Sequence, residues 1–195
     1  MLNMFASQMI TRRHLLAGLA AACALPGGAF AQAIVTEDGL HRQPWFIDSL
    51  LELADDVTAA AANKKRFAIL FELRGCPYCK QMHEINLTKP DISNYIKERF
   101  DILQLNFIGS REVTDFDGEK LSEKRLAAKY GVRGTPTFIF FPEQPDGLAG
   151  KKPMQREVAR LQGYVEPAPF LGTFRYVAER AYERGSLDDF LKAKS

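Results

Sequence analysis

The sequence predicts an α/β domain: a mixed β-sheet flanked by helices on both faces. Three observations predict it. Arg66 to Leu73 (RFAILFEL) is a short, nearly continuous apolar run, as a central strand buried on both faces would be. The segments after it alternate between helical and extended apolar spacing, and strand–helix–strand implies parallel pairing through a right-handed crossover. The last two strands are joined without a helix, so they pair antiparallel and make the sheet mixed.

Each element has its own signal. From Trp45 the apolar spacing is helical, with Phe46, Leu50, Leu53 and Val57 on one face, and Lys64 and Lys65 place positive charge at the end. The central strand follows, then Gly75-Cys76-Pro77-Tyr78-Cys79 and a helical stretch to about Asn86. Pro90 interrupts that stretch, so a break is expected near Thr88–Pro90 before a helix over Asp91 to Phe100. Asp101 to Ile108 alternates and predicts a second strand, and Gly109 to Glu119 reads as a polar loop. A helix over Leu121 to Tyr130 stops at Gly131, and its charged residues read as a solvated face. Gly134-Thr135-Pro136 leads into a strand at Thr137 to Phe141. Pro142 to Arg156, with three prolines and two glycines, is expected to be a long surface loop. Glu157 to Leu161 is a fourth strand, Phe170 to Arg184 a helix and Leu187 to Ala193 a short terminal one. The 14 Phe, 6 Tyr and 1 Trp are core by default.

The chain of 195 residues divides into a signal peptide at 1–31, a leader without periodicity at 32–44 and one domain at 45–195. Thr11-Arg12-Arg13-His14-Leu15-Leu16 resembles a twin-arginine export signal, favoured over the general secretory route. The apolar run Leu15 to Leu25 is too short for a bilayer, which needs about 20 residues. Ala29-Phe30-Ala31 supplies a small-x-small site for cleavage after Ala31. Cys23 reads as a small residue lost with the signal rather than a lipidated cysteine, since Ala20 and not Leu stands three residues before it. Either route delivers a soluble protein, without stable membrane insertion, to a bacterial periplasm. The formal net charge is +2, and both arginines of the acid-free signal leave with it, so the remainder balances at zero. That balance argues against a nucleic-acid binder, which needs surplus Lys and Arg.

Cys76-Pro77-Tyr78-Cys79 stands where the buried strand ends and a helix begins. A helix N-terminus presents unpaired N–H groups and about half a positive charge, so a Cys76 thiolate is favoured there. Pro77 suits the first helical position. Cys79, one turn on, should be buried and stay a thiol until it resolves a mixed disulfide formed at Cys76. Two other readings stand beside this one. A structural disulfide would close only a tiny loop. A metal carrier for zinc or copper(I) would use Cys76, Cys79 and His83, which lies four residues after Cys79 on the same helix face. Against that reading, His83 is otherwise a helix residue at the edge of the site, and no metal is expected.

With these residues in view, Phe67 to Lys80 (FAILFELRGCPYCK) and Tyr130 to Phe141 (YGVRGTPTFIFF) resemble the thioredoxin-fold superfamily over roughly Trp45 to Arg184. The resemblance implies a cis peptide at Pro136 set against the redox pair, with Thr135 offering its backbone to an extended substrate. Gly-Cys-Pro-Tyr-Cys-Lys, Met82-His83-Glu84 and Arg160-Leu161-Gln162-Gly163-Tyr164 look like periplasmic thioredoxins found with sulfur-oxidation (Sox) systems. That likeness implies a cofactor-free, monomeric disulfide reductase whose partners are a protein disulfide and a membrane thiol transporter that supplies electrons.

Three departures from cytoplasmic thioredoxin qualify the likeness. Pro77-Tyr78 replaces Gly-Pro between the cysteines and leaves the redox potential open. The buried acid six residues before the first cysteine is Leu70 here, and Glu72, on the same strand face, is the candidate to exchange a proton with Cys79. Gly75 replaces Trp, which opens the surface beside Cys76 and leaves Tyr78 the nearest aromatic. The substrate surface is therefore expected to comprise Gly75, Pro77, Tyr78 and Thr135. A disulfide-donating oxidase is the alternative, but only about fifty residues separate Cys79 from Gly131, too few for the helical insert such oxidases carry.

Overall fold

A computed structural model describes residues 33–194. The signal peptide expected at 1–31 lies outside the described residues. The leader carries a small hairpin of β1 (Ile34–Val35) and β2 (His41–Arg42). Next come α1 (Leu53–Ala62), β3 (Arg66–Glu72) and α2 (Pro77–Gln81), which runs into a π-helical turn at Met82–Asn86. Then α3 (Pro90–Arg99) leads to β4 (Phe100–Asn106), a second hairpin of β5 (Glu112–Thr114) and β6 (Lys120–Ser122), and α4 (Glu123–Lys129). The chain closes with β7 (Thr137–Phe140), β8 (Ala159–Gln162), α5 (Pro167–Ala178) and α6 (Leu187–Ala193).

The main sheet has the order β4-β3-β7-β8. β3 is central: it pairs in parallel with β4 and antiparallel with β7, and β7 pairs antiparallel with β8. The mixed α/β sheet predicted from the element order is therefore present. Alternation along β3 divides the core in two. Ala68 and Leu70 face a cluster with Met82, Ile92, Ile96, Phe138, Phe140, Phe170 and Phe174. Phe67, Ile69 and Phe71 face Leu53, Val57, Leu126, Tyr130, Ile139 and Phe141. Both faces of the strand are covered, which explains its unbroken apolar run. Glu72 shares the parity of Leu70 and so projects toward the side of the cysteine-bearing helix.

Several expectations differ from the structure. The first helix starts at Leu53, not Trp45. Leu51 adopts a left-handed φ of 64°, which a helix cannot continue through, and Leu50 is 93% exposed. Before it the chain runs along the sheet edge, where Ile47 N donates to Ile102 O at 3.1 Å. Phe46 and Val57 thus pack on opposite sides of the sheet, and their helical spacing is coincidental. The expected polar loop at 109–119 contains β5, because β5 and β6 pair as a hairpin. The helix after it is not a wholly solvated face. Glu123 is buried, accepting from Asn106 N at 2.8 Å and pairing with Arg111 at 2.7 Å. The 142–156 segment is anchored by a fully buried Arg156, which pairs with Asp115 at 2.8 Å and with Asp117. The helix expected over Phe170 to Arg184 begins at Pro167 and ends at Ala178, since Arg180 takes a left-handed φ of 54°.

Candidate active site

The site is built at the end of β3. Gly75 has a φ of +73° and no neighbour within 4 Å of a Cβ placed on it, so glycine serves a left-handed turn in open space. Cys76 N donates to Leu73 O at 3.1 Å and closes this turn. Cys76 then caps α2, with Pro77 at the first helical position, where a missing N–H costs nothing. As the cap, Cys76 Sγ accepts the N–H of Cys79 at 3.1 Å. Both cysteines are free thiols.

A second segment meets the first. The Thr135–Pro136 peptide is cis, as the resemblance implies. The Thr135 hydroxyl donates to Cys76 Sγ at 3.3 Å, and Thr135 O lies 3.4 Å from the same sulfur, as an acceptor for a thiol proton. A thiolate at Cys76 has two donors aimed at it, the Cys79 amide and the Thr135 hydroxyl; a thiol has one acceptor. Pro136 is buried and holds its loop by accepting from Gly163 N at 2.8 Å. Tyr78 is 58% exposed at the rim beside Pro77. Cys79 is buried, at 1% exposure. Burial, then its contact with the Cys76 side chain, then the negative charge of Glu72 push its thiol far up from the ordinary cysteine value.

Behind the cysteines lies a polar network that the sequence only partly disclosed. Glu72 is fully buried. Its two carboxylate oxygens each lie 3.1 Å from His83 Nε2, and Oε2 also accepts from Gln104 Nε2. His83 is fully buried as well, contrary to the expectation of a helix residue at the edge of the site. Its place on the helix accounts for this: Met82, His83 and Asn86 follow buried Cys79 at i+3, i+4 and i+7, and all face inward. His83 Nδ1 lies 3.1 Å from Gln43 Nε2, and Gln104 also donates to His41 O. The leader, read as featureless, therefore closes over this network. Gln43 carried no sequence signal. Gln104 did, as a polar residue between Leu103 and Leu105 in the strand and on the same face as Ile102.

The arrangement does not suit the metal-carrier reading. Both ring nitrogens of His83 are engaged, one by Gln43 and one by Glu72. Among the described residues no group of three or more His, Cys, Asp or Glu is placed to hold a metal ion. No helix among them is long and apolar enough to cross a membrane.

A strand-to-helix dithiol in contact with a cis-proline loop at the end of a four-stranded mixed sheet defines a thioredoxin-fold protein. The family model for the thioredoxin-like domain matches residues 53–178, and the chain belongs to that family. Among solved structures it is similar to a thioredoxin-fold protein from Helicobacter pylori, at 25% identity and a TM-score of 0.51 over 68% of this chain and 80% of that one. It is also similar to a thioredoxin from Thermus thermophilus, at 28% identity and a TM-score of 0.50 over 68% and 88%. No curated protein matches the chain.

Proposed function

We propose that the protein is a thiol–disulfide oxidoreductase that reduces protein disulfides through Cys76 and Cys79. The observation that carries this reading is the environment of one sulfur. Cys76 Sγ receives the Cys79 N–H and the Thr135 hydroxyl at the start of a helix, while Cys79 waits buried behind it. Cys76 is the attacking thiolate. It displaces one sulfur of a substrate disulfide and forms a mixed disulfide, and the displaced sulfur leaves with the electron pair and takes up a proton. Cys79 then gives its proton to Glu72, and its thiolate attacks Cys76. The Cys76–Cys79 bond forms, the Cys76–substrate bond breaks, and the substrate leaves with its disulfide reduced to two thiols. Gly75, Pro77, Tyr78 and Thr135 form the surface on which the substrate chain lies, with Pro136 shaping the loop beside them. The chemistry uses no cofactor.

The export signal and the likeness to Sox-associated thioredoxins support a monomeric reductase in the periplasm, recharged by a membrane thiol donor and keeping a partner protein's cysteine reduced. The test combines two measurements. Reduced Cys79→Ser should trap its partner as a mixed disulfide at Cys76, because no second thiol resolves it. The wild-type reduction potential should fall near the roughly −270 mV of a thioredoxin; a value near about −120 mV would make the protein a disulfide donor instead.

A further inference from the structure

Gln43 makes one side-chain hydrogen bond and leaves another unmade. Its Nε2 lies 3.1 Å from His83 Nδ1, while its Oε1 is buried without a partner. An amide nitrogen only donates, so Nδ1 accepts, and the proton of a neutral ring sits on Nε2. There it points at Glu72, 3.1 Å from each carboxylate oxygen. Gln43 thus selects the histidine tautomer that donates to Glu72, as second partners of functional histidines do. The orphan oxygen adds a second state. Turning the amide by 180° presents Oε1 to Nδ1, an arrangement that requires a proton there. With Nε2 still donating to Glu72, the ring is then an imidazolium.

We infer that Gln43 and His83 form a pH-sensitive positioning element for Glu72, in which a neutral His83 leaves Glu72 free to take the Cys79 proton and an imidazolium holds it as an ion pair. The inference rests on the disulfide-exchange reading above. Among the described residues, Glu72 on β3 and His41 of the leader, whose ring centroid lies 5.9 Å from that of His83, are the titratable groups against the ring, and Cys79 on α2 stands one helical turn before it. Gln43 and Gln104 are the neutral polar ones, and the Phe46 ring closes another side at 5.9 Å. The reaction is unchanged in its balance. One proton passes from Cys79 to Glu72, one S–S bond forms and one breaks, and re-reduction returns the proton. What His83 sets is the readiness of Glu72 to receive it.

Nitrogen-15 spectra of the wild-type histidine rings read this directly. At neutral pH His83 should show the neutral form protonated at Nε2. On acidification it should pass to imidazolium over the range in which resolution of a mixed disulfide with a model peptide slows. Gln43→Glu, which offers only acceptors to Nδ1, should favour the imidazolium at neutral pH. It should slow resolution by at least about tenfold while alkylation of Cys76 stays within about twofold of wild type. A ring protonated at Nδ1 alone in the wild type would overturn the inference. So would a folded Gln43→Glu with the wild-type rate and pH profile. Neither result touches the exchange reading, which fails separately if wild-type protein treated with a disulfide never closes the Cys76–Cys79 bond.

Discussion

The Thr135 hydroxyl donates to Cys76 Sγ at 3.3 Å, joining two segments 59 residues apart in sequence. This bond serves the sulfur best when it is an anion, since hydrogen bonds to charged groups contribute about 1.5–3 kcal/mol. Thr135→Val keeps the shape of the side chain and removes the donor. Alkylation of Cys76 by iodoacetamide at neutral pH should slow by roughly tenfold, with the fold intact. An unchanged rate would show that the Cys79 amide alone supports the thiolate.

Cys79 predicts a pH-dependence of stability in the reduced protein. Burial, the Cys76 side chain and Glu72 together raise its thiol well above the unfolded value of about 8.5. Below that value both states hold the proton and the group has no effect on the slope. Above it the unfolded chain loses the proton and the folded one keeps it, so stability falls with rising pH, by up to about 1.4 kcal/mol per pH unit. Urea midpoints of reduced wild type and Cys79→Ala, measured from pH 7 to 10, should diverge above about 8.5. Parallel curves would contradict the account of Cys79.

Replacing Glu72 by Gln sets two effects against each other. Losing the negative charge makes Cys79 easier to ionise, but that charge ranks behind burial and the Cys76 contact among the causes of its shift. Losing the proton acceptor removes a contribution of about 10²–10⁴-fold. The second effect wins, so release of the second substrate thiol should slow by about a hundredfold. Formation of the mixed disulfide should be unaffected, and rapid-quench measurement of the two steps separates them.

Far from any proposed chemistry, Arg156 tests the packing of the long 142–156 loop. It is buried between Asp115 at 2.8 Å and the Tyr130 hydroxyl at 3.3 Å. Arg156→Ala should destabilise the protein by about 3 kcal/mol in urea unfolding, at the low end for a broken buried pair. The low end is expected because Asp115 keeps its ion pair with Lys129 at 2.6 Å. A loss below about 1 kcal/mol, the level of an exposed pair, would contradict it.

The sheet and the cysteine motif were legible because their signals are local. An unbroken apolar run marks a doubly covered strand, and a Cys-Pro-Tyr-Cys after it marks a helix start. Thr135 and Pro136 were legible only through the family resemblance, since an isolated Thr-Pro reads equally well as a turn. The burial of His83 follows from its place one turn after Cys79, but the partners that make a buried imidazole tenable, Gln43 and Glu72, lie on other segments that helical spacing does not show. Arg156, Glu123 and Gln43 were misread or missed for a common reason. Each is a polar side chain buried against partners remote in sequence, and neither composition nor periodicity encodes such a partner.

The central claim is that Cys76 carries the nucleophile, and its most direct measurement is the reduction of insulin disulfides by dithiothreitol with catalytic amounts of protein. Wild type should accelerate precipitation of the insulin B chain, and Cys76→Ser should leave only the uncatalysed rate. A Cys76→Ser protein as active as wild type would remove this sulfur from the chemistry.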